Sequence, residues 1–283
     1  MSETTTAPAA APRAATASLP GTFRVGWSRA VIETKMFFRE RDSLIFNFSF
    51  PVILLVLFGS IFSGELEGTG ITVSQLYTAA LIGAGLMSVS FQNLAIAIAI
   101  EREEGTLKRL IGTPMPPAAY FVGKVLSVLL VAVLEIAILL VVGVLLYDLE
   151  LPTAVTDWVT FGWVFVLGLT ASSLLGIAVS SLPRSAKSAA AVVTMPFVIL
   201  QFISGVYIPF TELPDWLAHV ASLFPLRWLC QGFRSVFLGD AGASLELAGS
   251  YELDRVALVL AAWTIGGLLL CLLTFRWKSR RDG

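Results

Sequence analysis

The sequence predicts an all-α polytopic membrane protein with six transmembrane helices, and three observations support that fold. Apolar residues make up 56% of the chain. Charged residues make up only 14%, whereas a soluble domain carries about 25%. The charges are also segregated, because six long apolar runs contain a single charged residue, Glu135. Such a composition excludes a disordered chain and argues against one soluble domain.

The six apolar runs are the predicted membrane spans. Each is long enough to cross a hydrocarbon core of about 30 Å at a rise of about 1.5 Å per residue. A β-barrel would show short segments of alternating polarity instead. The predicted spans are residues 44–62, 76–100, 125–147, 158–182, 189–208 and 256–275.

The distribution of Lys and Arg predicts the orientation of these spans. Of the 19 basic residues, 16 lie in the two tails and in the second and fourth loops. The other three, Arg227, Arg234 and Arg255, lie in the fifth loop. Because cytoplasmic loops carry the excess of basic residues, we expect both termini to be cytoplasmic.

The region before the first span divides into a tail and a helix. Residues 1–22 are rich in Ala, Thr and Pro and contain no apolar core of signal-peptide length, which predicts a flexible cytoplasmic tail. Residues 23–42 then predict an amphipathic helix at the cytoplasmic interface, with basic residues on its other faces. A plain cytoplasmic extension of the first span is the alternative. The apolar face of the predicted helix carries Phe23, Trp27, Val31 and Phe38.

The second loop predicts a short charged helix. Acidic residues at 101–104 are expected in its opening turn, Lys108 and Arg109 follow one turn later, and Gly112 and Pro114 end the helix. A helix this short is not stable alone, so we expect a membrane anchor or a protein partner to hold it. Its small apolar face consists of Thr106, Leu107, Leu110 and Ile111.

The fifth loop, residues 209–255, is long and contains two apolar stretches. Residues 216–224 and 228–238 are too short to span a membrane. They predict a re-entrant helical hairpin on the outer side, between spans five and six. After the last span, residues 277–283 form a short basic tail that we expect in the cytoplasm.

Chemical motifs are sparse. The one histidine, His219, excludes zinc sites that need two. Gly123 and Lys124 are followed by Val125, so the chain has no nucleotide-binding loop. We therefore expect no enzymatic activity, metal or cofactor in this chain itself, and if the protein does uphill work with ATP, another chain must bind the ATP.

Four polar residues fall inside the predicted spans. A charge at the centre of a span costs at least about 2.5–3.5 kcal/mol, so Glu135 should face protein or water, or be protonated. A substrate contact or a proton site is one interpretation, and hydrogen bonds between helices are the other. The candidate residues are Glu135, Gln92, Asn93 and Gln201.

The second loop resembles the cytoplasmic signature of type-2 ATP-binding cassette (ABC) permeases. The resemblance rests on Glu101-Arg102-Glu103, Gly105-Thr106-Leu107, Leu110, Thr113-Pro114 and Gly123-Lys124. The turn Phe224-Pro225-Leu226, followed by Trp228 and Gly232, resembles the outer hairpin of that family. The likeness covers residues 23–276, which we therefore predict to be one permease domain.

This resemblance implies partners and a function. Such permeases pair with an identical or homologous permease and bind two cytoplasmic ATPase subunits, which hold the ATP and Mg²⁺. By this resemblance, the helix of the second loop is a coupling helix that docks on the ATPase. The resemblance gives coupling roles to Glu101, Arg102, Glu103, Gly105, Thr106, Leu107, Leu110 and Pro114.

The expected activity is export of a small hydrophobic or amphipathic substrate, such as a drug, an antibiotic or a lipid-like molecule, across a bacterial inner membrane. Besides the partner subunits, membrane lipid is an expected contact and nucleic acid is not. Three other classes of protein stay open: an ion-driven secondary transporter, a membrane scaffold or sensor, and a membrane enzyme.

Overall fold

The computed structural model describes residues 21–62, 64–66, 69–275 and 277. The predicted basic tail after Trp277 and nearly all of the predicted N-terminal tail lie outside these ranges. Within the described residues the chain is helical and contains no strand. The helices are α1 Thr22–Arg39, α2 Arg41–Ile61, α3 Val73–Met87, α4 Leu94–Glu103, α5 Thr106–Ile111, α6 Pro117–Tyr147, α7 Val155–Val179, α8 Ala186–Ile203, α9 Asp215–Ala221, α10 Pro225–Phe237 and α11 Leu253–Thr274.

The structure confirms the all-α polytopic fold. Six helices of the described chain are long and apolar enough to cross a membrane. They are α2, the continuous stretch α3–α4, and α6, α7, α8 and α11. Their bounds differ most from the predicted spans at α6, which begins at Pro117 rather than at residue 125. Proline suits the first turn of a helix, so α6 can begin at Pro117. Lys124 forms ion pairs with two carboxylates, so the helix can continue through this charged residue.

The second span lies at the centre of the bundle. In its most apolar stretch 72% of the residues are buried, against 17% in α2 and in α11. Between α3 and α4 it contains a π-helical segment, Ser88–Asn93. There α7 approaches closely, since a Cβ atom on Gly176 would lie 2.7 Å from the Phe91 carbonyl oxygen. Glycine is therefore required at this helix crossing.

The first helix, α1, is separate from the first span. The chain breaks at Glu40, so α1 is not a plain extension of α2. Gly26 and Ala30 are buried, and α1 packs mainly on α6. The four predicted apolar residues of α1, which are exposed in this bundle, are Phe23 (69%), Trp27 (57%), Val31 (38%) and Phe38 (40%).

The fifth loop forms two helices, α9 and α10, as the sequence predicts, although α10 is more deeply buried than a surface hairpin would be. Twelve of its 13 residues are buried, and it packs against α3, α7 and α11. Glu246, in the loop after α10, accepts a hydrogen bond from Arg234 Nε at 2.5 Å. This buried ion pair fastens the loop to α10.

Candidate coupling site and inner cavity

The predicted coupling helix is α5, and it is separated from α4 by a glycine. Gly105 has φ +74°, the left-handed conformation that ends a helix at little cost for glycine. Glu101, Arg102 and Glu103 therefore form the last turn of α4. The expectation that these residues open the short helix was wrong, because the left-handed glycine comes after them.

Three consecutive side chains at the end of α4 bond to three different parts of the protein. Arg102 donates to the Ser180 carbonyl oxygen at 2.5 Å and to Ser180 Oγ at 3.1 Å, at the C-terminus of α7. Glu103 accepts a hydrogen bond from the Ala186 N–H, at the N-terminus of α8. Each charge matches the sign that the adjacent helix terminus favours. We call Glu101, Arg102 and Glu103 the clasp.

Glu101, the remaining residue of the clasp, belongs to an ion cluster. The cluster consists of Arg29, Glu33, Glu101, Lys124 and the hydroxyl group of Tyr120. Lys124 Nζ lies 2.5 Å from Glu101 Oε1 and 2.7 Å from Glu33 Oε2. Arg29 pairs with Glu33 at 2.7 Å, and the Tyr120 hydroxyl donates to Glu101 Oε2 at 2.7 Å. The cluster joins α1, the end of α4 and the beginning of α6, so it binds both flanks of α5 to the interfacial helix.

The helix α5 has one buried side and one exposed side. Leu107 is fully buried, and Leu110 packs against the core. Thr106 and Gly105 are half-buried, whereas Pro114 is exposed. Ile111, which is 52% exposed, is the large apolar side chain on the open side. A partner that docks on α5 would meet this open side.

An inner cavity of about 210 Å³ lies between α2, α3, the π-helical segment and α8. Its wall is largely apolar, and three of the predicted polar residues line it: Gln92, Asn93 and Gln201. Gln92 donates to Thr194 Oγ1 at 3.0 Å and Asn93 to Asn47 Oδ1 at 2.6 Å. Gln201 accepts a hydrogen bond from the Tyr207 hydroxyl at 2.8 Å. Gln92 and Asn93 join neighbouring spans, and all three side chains belong to the cavity wall.

The fourth predicted residue, Glu135, does not line this cavity. It is 2% exposed, and its Oε2 atom has no hydrogen-bond partner. Its carboxyl group fills the space in front of Gly85, where a Cβ atom would lie 2.4 Å from Glu135 Oε1. Gly85 does line the cavity, so the carboxyl group contacts a residue of the cavity wall.

The sequence reasoning missed Arg29, Glu33 and Tyr120. Arg29 and Glu33 are four residues apart in a helix, a spacing that places them on one face and could have indicated a pair. Their partners on α4 and α6 follow only from the packing of α1, which no local pattern reveals.

These features define the class of the protein: a multi-pass membrane protein with a short helix held at one end of the bundle. Comparison with known families then gives the particular family. The profile of the ABC-2 type transporter family matches residues 27–238, about three quarters of the chain. The protein therefore belongs to this family and is a type-2 ABC permease, as its second loop suggested.

Several curated proteins are similar to the chain. The probable multidrug ABC transporter permease YbhR of Escherichia coli K12 is 26% identical over 53% of this chain, and the match spans 40% of the length of YbhR. The inner membrane transport permease YadH of the same strain is 26% identical over 76% of this chain and 85% of its own length. The putative transport permease YvfS of Bacillus subtilis 168 is 20% identical over 82% of this chain and 90% of its own length.

Proposed function

We propose that the protein is the transmembrane subunit of an ATP-driven exporter that moves a hydrophobic or amphipathic substrate out of the cell. Separate nucleotide-binding subunits, two in each complex, would bind ATP and Mg²⁺ and hydrolyse the ATP. The chain itself would have no enzymatic activity. Family membership and the names of the similar permeases support this function.

The observation that carries the proposal is the attachment of α5 through the clasp. A helix that transmits motion must be open to a partner on one side and held firmly on the other. The open side of α5 offers Ile111, and its flanks are bonded to α1, α6, α7 and α8 through the clasp and the ion cluster. Displacement of α5 by a closing ATPase would therefore reach four helices at once.

The inner cavity suits part of a drug-sized, partly apolar molecule. In the single chain its volume is about 210 Å³, below the usual range for complete ligand pockets, about 300–1,000 Å³, so a second permease would have to enlarge it. Its largely apolar wall would hold the body of such a molecule, and the amides of Gln92 and Asn93 would orient it. This fits export of a hydrophobic or amphipathic compound better than transport of a bare ion.

A second permease, identical or homologous, would complete the cavity. Phe46 and Phe50 line the inner cavity and are nevertheless 69% and 41% exposed in the single chain. Apolar residues on the neighbouring surface of α8, such as Ile199 at 57%, are also exposed. Membrane lipid or a second permease would cover this face, and only a second permease would close the cavity as a transport path.

We place the protein in a bacterial inner membrane with both termini in the cytoplasm. The excess of Lys and Arg at the end of the bundle that carries α5 supports this orientation. The similar protein YadH is named as an inner membrane permease. In this orientation α5 faces the compartment that contains ATP.

Co-purification tests the proposal. The tagged chain is purified gently from its native membrane beside the variants Ile111→Asp and Leu247→Asp, and the accompanying proteins are identified by mass spectrometry. Leu247 is a matched control, because it is also an exposed apolar residue, at 50%, but lies in the fifth loop. We expect an ATPase with a nucleotide-binding loop to accompany the wild type and Leu247→Asp, and to be lost from Ile111→Asp. Absence of any ATPase from the wild type under several mild detergents would contradict the proposal.

A further inference from the structure

A second cavity lies between α1, α4 and α6, at the end of the bundle that carries the clasp. It measures about 290 Å³, and we call it the interfacial cavity. Apolar side chains of α4 and α6 form its deep part, and four carboxylates line it nearer to the clasp: Glu33, Glu40, Glu101 and Glu104. The cavity thus has an apolar interior and an acidic mouth.

The charges at this mouth do not balance. Lys124 is the one cationic residue among those that line the cavity. With Arg29 it neutralises Glu33 and Glu101 inside the ion cluster. Arg39 and Arg41 flank Glu40 in the chain but are not part of the lining. Glu40 and Glu104 are exposed carboxylates that also line the cavity, and Lys124, the basic residue of the lining, pairs with Glu33 and Glu101 rather than with them.

Glu135 lies just beyond the deep end of the interfacial cavity. Val131 of α6 and Val89 of the second span line that end. Four residues further along each helix, about one turn or 5.4 Å, come Glu135 and Gly85, which touch each other. Gly85 lines the inner cavity, and Asn93 lines both cavities. The carboxyl group of Glu135 is therefore located between the two cavities.

Nothing described in the protein compensates this carboxyl group. Its Oε2 atom has no hydrogen-bond partner, and the described Lys and Arg residues form no ion pair with it. Burial of an unpaired carboxylate costs several kcal/mol in general, so such a group either takes up a proton or is compensated by a positive group. An unpaired carboxyl group between two largely apolar cavities, one of which is also lined by four carboxylates, suits a molecule that is both apolar and cationic.

We propose that the exported substrate is an amphipathic organic cation, which enters through the interfacial cavity and pairs its positive group with Glu135 on the way to the inner cavity. This inference rests on the proposed function and names its substrate class. The apolar body of the molecule occupies the apolar interior of each cavity. Glu40 and Glu104 concentrate the cation at the mouth, and Glu135 selects it within the span.

The test uses the complete complex, purified with its ATPase, and two probes of similar shape. Tetraphenylphosphonium is an apolar cation, and triphenylphosphine oxide is its neutral relative. ATP hydrolysis stimulated by each probe is measured for the wild type, Glu135→Gln, Glu135→Asp, the double variant Glu40→Gln/Glu104→Gln, and Glu150→Gln. Glu150 is an exposed carboxylate remote from both cavities and serves as the matched control.

We expect the wild type to respond to tetraphenylphosphonium at a lower concentration than to triphenylphosphine oxide. Glu135→Gln should raise the half-maximal concentration of the cation at least about tenfold, because it removes a charge contact in a medium of low dielectric constant. The exposed double variant should raise it only about threefold, since water screens these charges. Glu135→Asp should retain most of the preference, and Glu150→Gln all of it. The response to the neutral probe should stay the same in every variant that assembles.

Two outcomes would overturn the inference and leave the proposed function intact. One is an equal response of the wild type to both probes, or to neither, in a complex that hydrolyses ATP. The other is an equal change in the response to both probes in Glu135→Gln, which would mean a structural role for the carboxyl group. Failure of any ATPase to co-purify would overturn the proposed function and this inference with it.

Discussion

Lys124 shows at the scale of a single residue how this chain keeps charges inside a largely apolar bundle. Its side chain is 6% exposed and lies between two carboxylates, Glu33 and Glu101. Tyr120 satisfies the second oxygen of Glu101, and Arg29 contacts the other carboxylate. Every charge in the ion cluster thus has a partner, which makes the cluster a stable joint between α1, α4 and α6.

Removal of Lys124 tests this joint. Lys124→Ala leaves two nearly buried carboxylates facing each other, and breaking a buried pair by removing one partner is costly. We expect a loss of about 2–3 kcal/mol in the free energy of unfolding, somewhat below the cost for a fully buried pair because the carboxylates retain some contact with water. The measurement is thermal unfolding of the purified protein in detergent.

Lys187→Ala is the control for that measurement, because Lys187 is exposed in the first turn of α8. Its effect should stay within about 0.5 kcal/mol. If Lys124→Ala unfolded at the same temperature as Lys187→Ala, the ion cluster would contribute nothing to stability and could not act as a joint.

At the scale of an element, the π-helical segment of the second span is the feature that arranges the cavity. Ser88–Asn93 adds one residue to the local turn, which brings both Gln92 and Asn93 to the inner cavity. The widened backbone is covered by α7 at Gly176. The local geometry of α3 and α4 therefore depends on a glycine in another helix.

A pair of glycines in α7 gives a matched test of this packing. Gly176→Ala would place a Cβ atom 2.7 Å from the Phe91 carbonyl oxygen, and backbone cannot move aside easily. We expect a destabilisation of about 1–3 kcal/mol, the usual cost of overpacking. Gly162→Ala, in the same helix but with no atom within 4 Å of the new Cβ, should be neutral or stabilising by up to about 1 kcal/mol.

Unfolding of both variants in the same detergent checks this prediction. Equal stability of the two variants would show that α7 does not pack tightly on the π-helical segment.

The elements also show what the sequence could predict and what it could not. The six spans, α1 and the two helices of the fifth loop follow from hydropathy and periodicity, because burial in lipid or at its surface leaves a strong local pattern. The π-helical segment leaves none, since Ser88–Asn93 reads like the rest of an apolar run. The clasp was assigned to the wrong helix, because the conformation of Gly105 decides where α4 ends and a sequence does not display φ.

The site was predictable to a similar degree. Gln92, Asn93 and Gln201 stood out as polar residues in apolar runs, and the structure places all three at one cavity. Glu135 stood out for the same reason, but its contact with Gly85 depends on how α6 packs on α3. The ion cluster was missed because its members come from three helices far apart in the chain.

At the scale of the whole molecule, the distribution of basic residues predicts that α5 faces the cytoplasm and that the fifth loop faces the outside. The test starts from a chain in which alanine replaces Cys230 and Cys271. A single new cysteine is then placed at Thr113, after α5, or at Ser244, in the fifth loop. Both positions are exposed. In intact cells a membrane-impermeant maleimide should label Ser244→Cys and should label Thr113→Cys only after permeabilisation. Labelling of Thr113→Cys in intact cells would reverse the orientation and remove α5 from the side that holds ATP.

The whole account depends on whether an ATPase docks on the open side of α5. A photoreactive benzoylphenylalanine at Ile111, and in a parallel chain at Leu247, measures this docking directly in living cells. We expect irradiation to cross-link position 111 to a protein with a nucleotide-binding loop and position 247 to no such protein. Intact chains at native levels in the membrane that give no ATPase cross-link from position 111 would contradict the account.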